Sequence, residues 1–181
     1  LNSLLNKGTK TMKKKPSVAI VMGSQSDLET LRDAAGILEK FDIAHEIRVI
    51  SAHRTPEAAR SFALSAEERG IRVIIAGAGK AAHLAGVLAS LTTLPIVGVP
   101  MTTSDLGGLD SLLSMVQMPG GIPVATVAIG KAGAKNAGLL AVAMLALSDD
   151  DLKARLKQYR KEMTEEVEAV DRQLQADSAV G

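Results

Sequence analysis

Short runs, most of them apolar, alternate with longer segments of helical periodicity from Ser17 to Leu147, and this alternation restricts the chain to very few folds. Val18 to Met22 is the first apolar run and stops at Gly23, after which Leu28, Leu31, Leu38 and Phe41 recur at helical spacing. His45 to Ile50 reads as the second strand. Thr55-Pro56-Glu57 then begins a helix with a cap residue, a proline at the first position and an acid for the helix dipole, and Gly70 ends it. Val73 to Ala76, Pro95 to Val99 and Val124 to Ile129 are the third, fourth and fifth strands. Helices are predicted from the Gly77-Ala-Gly79 turn to about Leu91, from Leu109 to Met118, and from Asn136 to Leu147, the last apolar on nearly all sides. Consecutive apolar strands with helical crossovers imply a parallel sheet covered on both faces. The expected fold is a three-layer, doubly wound α/β sheet of flavodoxin-like order spanning residues 16–148. Its ligand site is expected beyond the carboxyl ends of the strands, at the switch in strand order.

Composition agrees with that frame and removes several functions. Hydrophobic residues make up 46% of the chain but aromatic ones only 2%, so the core is built from Ala, Val, Ile, Leu and Met. Such a chain lacks the aromatic faces on which exposed bases stack. Net charge is +1, which calls for no polyanionic partner, and Lys13-Lys14-Lys15 reads as a solvated basic terminus rather than a nucleic-acid contact. With no cysteine there is no disulfide, thiolate nucleophile or Cys-based metal site, as befits a cytoplasmic protein. Leu4-Leu5 is too short for a signal peptide and Leu139 to Leu147 too short to span a bilayer, so a soluble protein without membrane contact is expected. Residues 1–15 read as a disordered leader, with Met12 as a candidate native start. Residues 149–181 are charged: Asp149-Asp150-Asp151 caps a helix on which Leu152, Leu156, Tyr159 and Met163 form one stripe, packed on its own or a neighbouring subunit.

Three polar motifs follow strands one, two and three, where a doubly wound sheet places its ligand. Gly23-Ser24-Gln25-Ser26-Asp27 combines a tight turn, two hydroxyls and a helix N-terminus suited to phosphate, with Asp27 able to accept from ribose hydroxyls. Plain helix capping by Ser26 or Asp27 is the competing reading. Ser51-Ala-His53-Arg54-Thr-Pro56 offers a fork donor for phosphate or carboxylate in Arg54 and a proton carrier in His53. Gly77-Ala78-Gly79-Lys80-Ala-Ala-His83-Leu84 lets a planar ligand approach the backbone, with His83 either bonding it or merely packing. Neither a Walker A loop nor the G-x-G-x-x-G fingerprint is present, no Ser-His-Asp triad is suggested, and His45 lies inside a strand, away from any metal cluster.

In this order the three motifs resemble those of the class I N5-carboxyaminoimidazole ribonucleotide mutases of purine biosynthesis. The match continues through Asp110 to Pro119, Gly121 to Ile129 and Asn136-Ala137, covering roughly Val18 to Leu147. The resemblance implies a flavodoxin-like homo-octamer with sites between subunits, a small ribonucleotide substrate, no metal, nucleotide triphosphate or biotin, and a separate ATP-dependent carboxylating synthetase as functional partner. By motif it implies Ser24, Ser26 and Arg54 at the 5′-phosphate, with Ser51 also at the substrate, and Asp27 at the ribose. It makes His53 the general acid–base group. Gly77, Ala78, Gly79, His83 and Leu84 would line the imidazole and carboxylate, and Ser111 to Pro119 would come from a neighbouring subunit. Lys80 and Ala85 stand where the family often has Gly and Pro; a lysine near the carboxylate could alter binding, but Lys80 is expected to point to solvent. A class II carboxylase using free carbon dioxide and a non-catalytic phosphate or flavin-mononucleotide module are the competing readings. The second is weakened because Phe41, Phe62 and Tyr159 all lie far from the motif loops.

Overall fold

The computed structural model describes residues 15–178, so the expected leader lies outside the described residues except for Lys15. Five strands, β1 (Val18–Met22), β2 (His45–Val49), β3 (Val73–Ala78), β4 (Ile96–Pro100) and β5 (Ala125–Thr126), form one parallel sheet in the order β2-β1-β3-β4-β5. That is the expected doubly wound, flavodoxin-like order, with its switch point between β1 and β3.

Alternation along each strand divides the core into two layers. Val18, Ile20 and Met22, with Ile75 and Val99, face α1 (Leu28–Lys40) and α5 (Gly130–Leu145). Ala19 and Val21, with Ile74, Ala76 and Ile96, face α2 (Pro56–Ala66), α3 (Leu84–Ala89) and α4 (Leu109–Val116). Fully burying one Leu, Ile or Met side chain contributes about 1.5–3 kcal/mol. Small residues let the layers close: a Cβ on Gly138 of α5 would lie 2.8 Å from Ile37 Cβ and 3.0 Å from the Ala34 carbonyl oxygen of α1.

Several boundaries differ from the sequence expectation for local reasons. β3 runs on through Gly77 and Ala78 instead of turning at Gly77, because these residues pair with Val99 and Pro100 of β4; a Cβ at Gly77 would lie 2.6 Å from Leu31 and 2.9 Å from Met101. Gly77 is a packing glycine within a strand. β5 keeps only two residues of the apolar run, paired with Val97 and Gly98 of β4, before the chain turns into α5. That helix starts six residues earlier than its apolar pattern, at Gly130, because its first turns are Gly, Ala and Lys. α3 and α4 each end two residues early, at Ala89 and Val116. The carboxyl-terminal helix α6 (Asp150–Ser178) is capped by Asp149, whose Oδ1 accepts from the Leu152 N–H at 2.9 Å. Leu152 is buried, and Leu156 and Tyr159 pack against the first core layer. Tyr159 meets Phe41 edge-on at 5.6 Å. No helix among the described residues is long and apolar enough to cross a membrane.

Candidate active site

Backbone hydrogen bonds carry the sheet to its rim and bring four loops to one level. Gly23 N–H donates to Gly77 (3.2 Å), Ile50 N–H to Met22 (2.8 Å) and Met101 N–H to Ala78 (3.0 Å). Between these loops lies an open cleft of about 540 Å³. Ser24, Ser26, Asp27, Ser51, His53, Arg54, Ala78, Gly79, His83 and Leu84 all line it; Gly77 does not.

After β1, Ser24 caps a single 3-10 turn (Gln25–Asp27) by accepting from the Ser26 N–H at 3.3 Å and from the Ser26 hydroxyl at 2.9 Å. The capping role thus falls to Ser24, not to Ser26 or Asp27. Asp27 makes no cap bond to α1, and its half-buried carboxylate lines the cleft. Burial pushes the Asp27 carboxyl above its ordinary value, while hydrogen bonds from Ser26 and Ser24 and the Arg54 charge oppose the shift. A carboxyl that is raised on folding holds its proton to higher pH in the folded state. Stability therefore falls as pH rises through the interval between the unfolded and folded values, and stays lowered above it. Asp27→Asn is expected to raise the urea midpoint near neutral pH, with the gain shrinking as pH is lowered toward the ordinary value of 3.8. Urea titrations across that range check this; a gain independent of pH would show that the charge is not its source.

After β2 the loop is tied to itself. Thr55 does not cap α2 with its side chain; its hydroxyl donates to the Ser51 carbonyl (3.0 Å) and accepts from the Ser51 N–H (2.9 Å). Ser51 Oγ accepts from the Arg54 N–H (3.1 Å) and from Arg54 Nε (3.4 Å), and Arg54 Nη2 donates to the Gly23 carbonyl at 2.7 Å. The guanidinium therefore braces the first loop while lining the cleft beside Ser24 and Ser26.

The closed loop holds His53 against His83, thirty residues on. His53 Nε2 and His83 Nδ1 are 2.9 Å apart and the rings meet edge to face, with centroids 4.9 Å apart. One nitrogen donates and the other accepts, so while the bond lasts the facing nitrogens share a single proton. The pair is a place where a proton can be held and passed within the cleft. No group of three or more His, Asp or Glu among the described residues is placed to hold a metal.

The fourth wall has no counterpart in the motif reading. Met101, Thr102, Thr103 and Ser104, after β4, also line the cleft. They carry no distinctive chemistry in the sequence; the signal available was their position beyond a strand's carboxyl end. Lys80 is exposed, in keeping with the expectation that it points to solvent, and its ammonium also meets Asp105 at 2.7 Å, a partner the motifs did not indicate. Ser111, expected to serve a neighbour's site, is buried in its own subunit and accepts from the Lys80 N–H at 3.0 Å.

Residues 17–166 match the profile of a family described as AIR carboxylase. The chain belongs to the AIR carboxylase family. Among family relatives, the N5-carboxyaminoimidazole ribonucleotide mutase of Pyrococcus horikoshii is 57% identical over 161 residues, covering 89% of this chain and 90% of the relative. The protein of the same description from Mycobacterium tuberculosis is 55% identical, covering 89% and 91%. The crystal structure of Treponema denticola PurE superposes with a TM-score of 0.80 at 30% identity, covering 88% of this chain and 98% of that one.

Proposed function

We propose that this AIR carboxylase family member is an isomerase of purine biosynthesis that moves a carboxylate within an aminoimidazole ribonucleotide. The N5-carboxylated compound becomes 4-carboxy-5-aminoimidazole ribonucleotide. The observation that carries this reading is the juxtaposition, in one cleft, of an anion-binding loop pair and two hydrogen-bonded imidazoles. Relatives 55–57% identical bear the mutase description, which favours it over the carboxylase alternative.

In this reading Ser24, Ser26 and Arg54 take the phosphate, with Ser51 holding Arg54 in place, and Asp27 accepts from the ribose hydroxyls. Ala78, Gly79, His83 and Leu84 surround the ring. His53, protonated, gives its proton to the exocyclic nitrogen as the N–C bond breaks, leaving aminoimidazole ribonucleotide and carbon dioxide. The ring carbon C4 then attacks the carbon dioxide, and neutral His53 takes the proton from C4, restoring aromaticity. Each step leaves the imidazole in the state the other requires. Confinement makes recapture effectively intramolecular, which avoids the loss of carbon dioxide to solvent. The test is to supply the N5-carboxylated ribonucleotide, and separately the free amine with carbon dioxide, without ATP. Conversion of the first is expected; turnover of the second alone would assign the carboxylase reaction instead.

The reading is completed by a cytoplasmic homo-octamer supplied by a separate ATP-dependent carboxylating synthetase. Support for association alone comes from the apolar face of α4: Leu109, Leu113 and Val116 stand one turn apart and are each about half exposed, at 50%, 47% and 51%. Leu113→Glu is expected to yield a folded protein of lower assembly mass in sedimentation. An unaltered mass would remove this face from the assembly.

A further inference from the structure

Lys80 is poorly explained by local structure alone. Its φ of 59° lies in the left-handed region, where a residue other than glycine costs about 1 kcal/mol or more. Its backbone is fixed from α4: the N–H donates to Ser111 Oγ at 3.0 Å and the carbonyl accepts from Ser114 Oγ at 3.4 Å. Glycine would keep both bonds without the strain, so the backbone has no need of this side chain. The side chain instead spans two walls of the cleft, from the loop after β3 to Asp105 in the loop after β4, at 2.7 Å. Both partners are more than half exposed, 68% and 59%, and such a pair contributes only about 0–1 kcal/mol to stability. Folding does not account for a strained lysine here.

The charge balance of the cleft does. Among the described residues only two lysines or arginines line it, Arg54 and Lys80, against the carboxylate of Asp27. Arg54 stands beside Ser24 and Ser26 and is engaged with Gly23 and Ser51. Lys80 leaves the rim at β3, on the other side of β1 from the loop that carries Arg54. An ammonium has three donors, and Asp105 needs one of them, leaving two for a second anion. We propose that Lys80 is a further substrate-binding residue that receives the carboxylate of the ribonucleotide, and that Asp105 is a positioning residue holding its ammonium at the cleft mouth. The inference rests on the functional reading above, which gives the substrate a phosphate at one end and a carboxylate at the other.

The chemistry dictates how the contact must register. The carboxylate loses its charge as carbon dioxide forms, so a cation beside it favours the bound ground state over the transition state. Lys80→Gly is therefore expected to raise KM for the N5-carboxylated substrate about tenfold without lowering kcat. In calorimetry it is expected to weaken 4-carboxy-5-aminoimidazole ribonucleotide about tenfold, while aminoimidazole ribonucleotide, which has the phosphate but no carboxylate, stays within about twofold. Lys80→Arg should restore most of the carboxylated ligand's affinity, and Asp105→Asn should fall between the wild type and Lys80→Gly. Thermal melts verify that the glycine variant is folded.

Equal weakening of both ligands would move the contact to the phosphate and overturn the proposal. So would a lowered kcat at unchanged KM, or wild-type affinity in the glycine variant. If the wild-type protein does not convert the N5-carboxylated ribonucleotide, the functional reading itself falls. If it does while Lys80→Gly behaves as wild type, the Lys80 assignment alone is lost.

Discussion

His53→Asn is expected to lower turnover by about 10²–10⁴-fold, the range contributed by a positioned acid–base group. Substrate affinity and thermal midpoint should stay near wild-type values. The imidazole is exposed at the cleft and supports no core residue, and the loop that carries it is closed by Ser51 and Thr55 without its help. An asparagine amide still has a donor to offer His83 Nδ1, but it cannot exchange a proton near neutral pH. Single-turnover kinetics with the N5-carboxylated ribonucleotide, alongside melts of the same preparation, separate chemistry from binding and folding. Near-normal turnover would remove His53 from the acid–base role.

Gly133→Ala should give the largest loss of stability from a single methyl group. The added Cβ would fall on the carbonyl oxygen of Ala128 and lie 2.5 Å from its carbon. Both atoms belong to backbone at the turn from β5 into α5, so no side chain can swing aside. Either the first turn of α5 unwinds or the 127–130 segment is pushed off β4, where the Val127 N–H donates to the Gly98 carbonyl at 3.0 Å. A loss of about 3 kcal/mol or more is expected, at the upper end of overpacking effects. Chemical denaturation measures it directly, and a loss below about 1 kcal/mol would show that this turn relaxes easily.

Elements marked by both apolar pattern and punctuation were legible in the sequence. β1 with its Gly23 stop and the Pro56 start of α2 stand where the residues place them. Glycine and alanine stretches were not, because small residues show no contrast between faces: the first turns of α5 and the strand character of Gly77 depend on partners distant in sequence. The same division runs through the site. Each of three loops announced its own chemistry, yet the His53–His83 bond joins two of them and arises only when β2 and β3 flank β1. The Thr102–Ser104 wall and the Lys80–Asp105 bridge were missed for a related reason. A threonine or an aspartate in a loop carries no signature until the fold supplies its neighbour.

The carboxyl-terminal helix leaves the molecule unevenly rigid. Near its start, Leu152, Leu156 and Tyr159 are anchored in the core, whereas Val167, Val170 and Leu174 are exposed. Those outer turns are supported by pairs on the helix itself, Lys161 with Glu165, Glu168 with Arg172 and Gln173 with Asp177, each contributing a few tenths of a kcal/mol. In a lone subunit, amide protons between Leu152 and Tyr159 are therefore expected to exchange more slowly than those beyond Val167, which open by fraying from the end. A single helix thus joins backbone tied to the core with backbone that only its own side-chain pairs support.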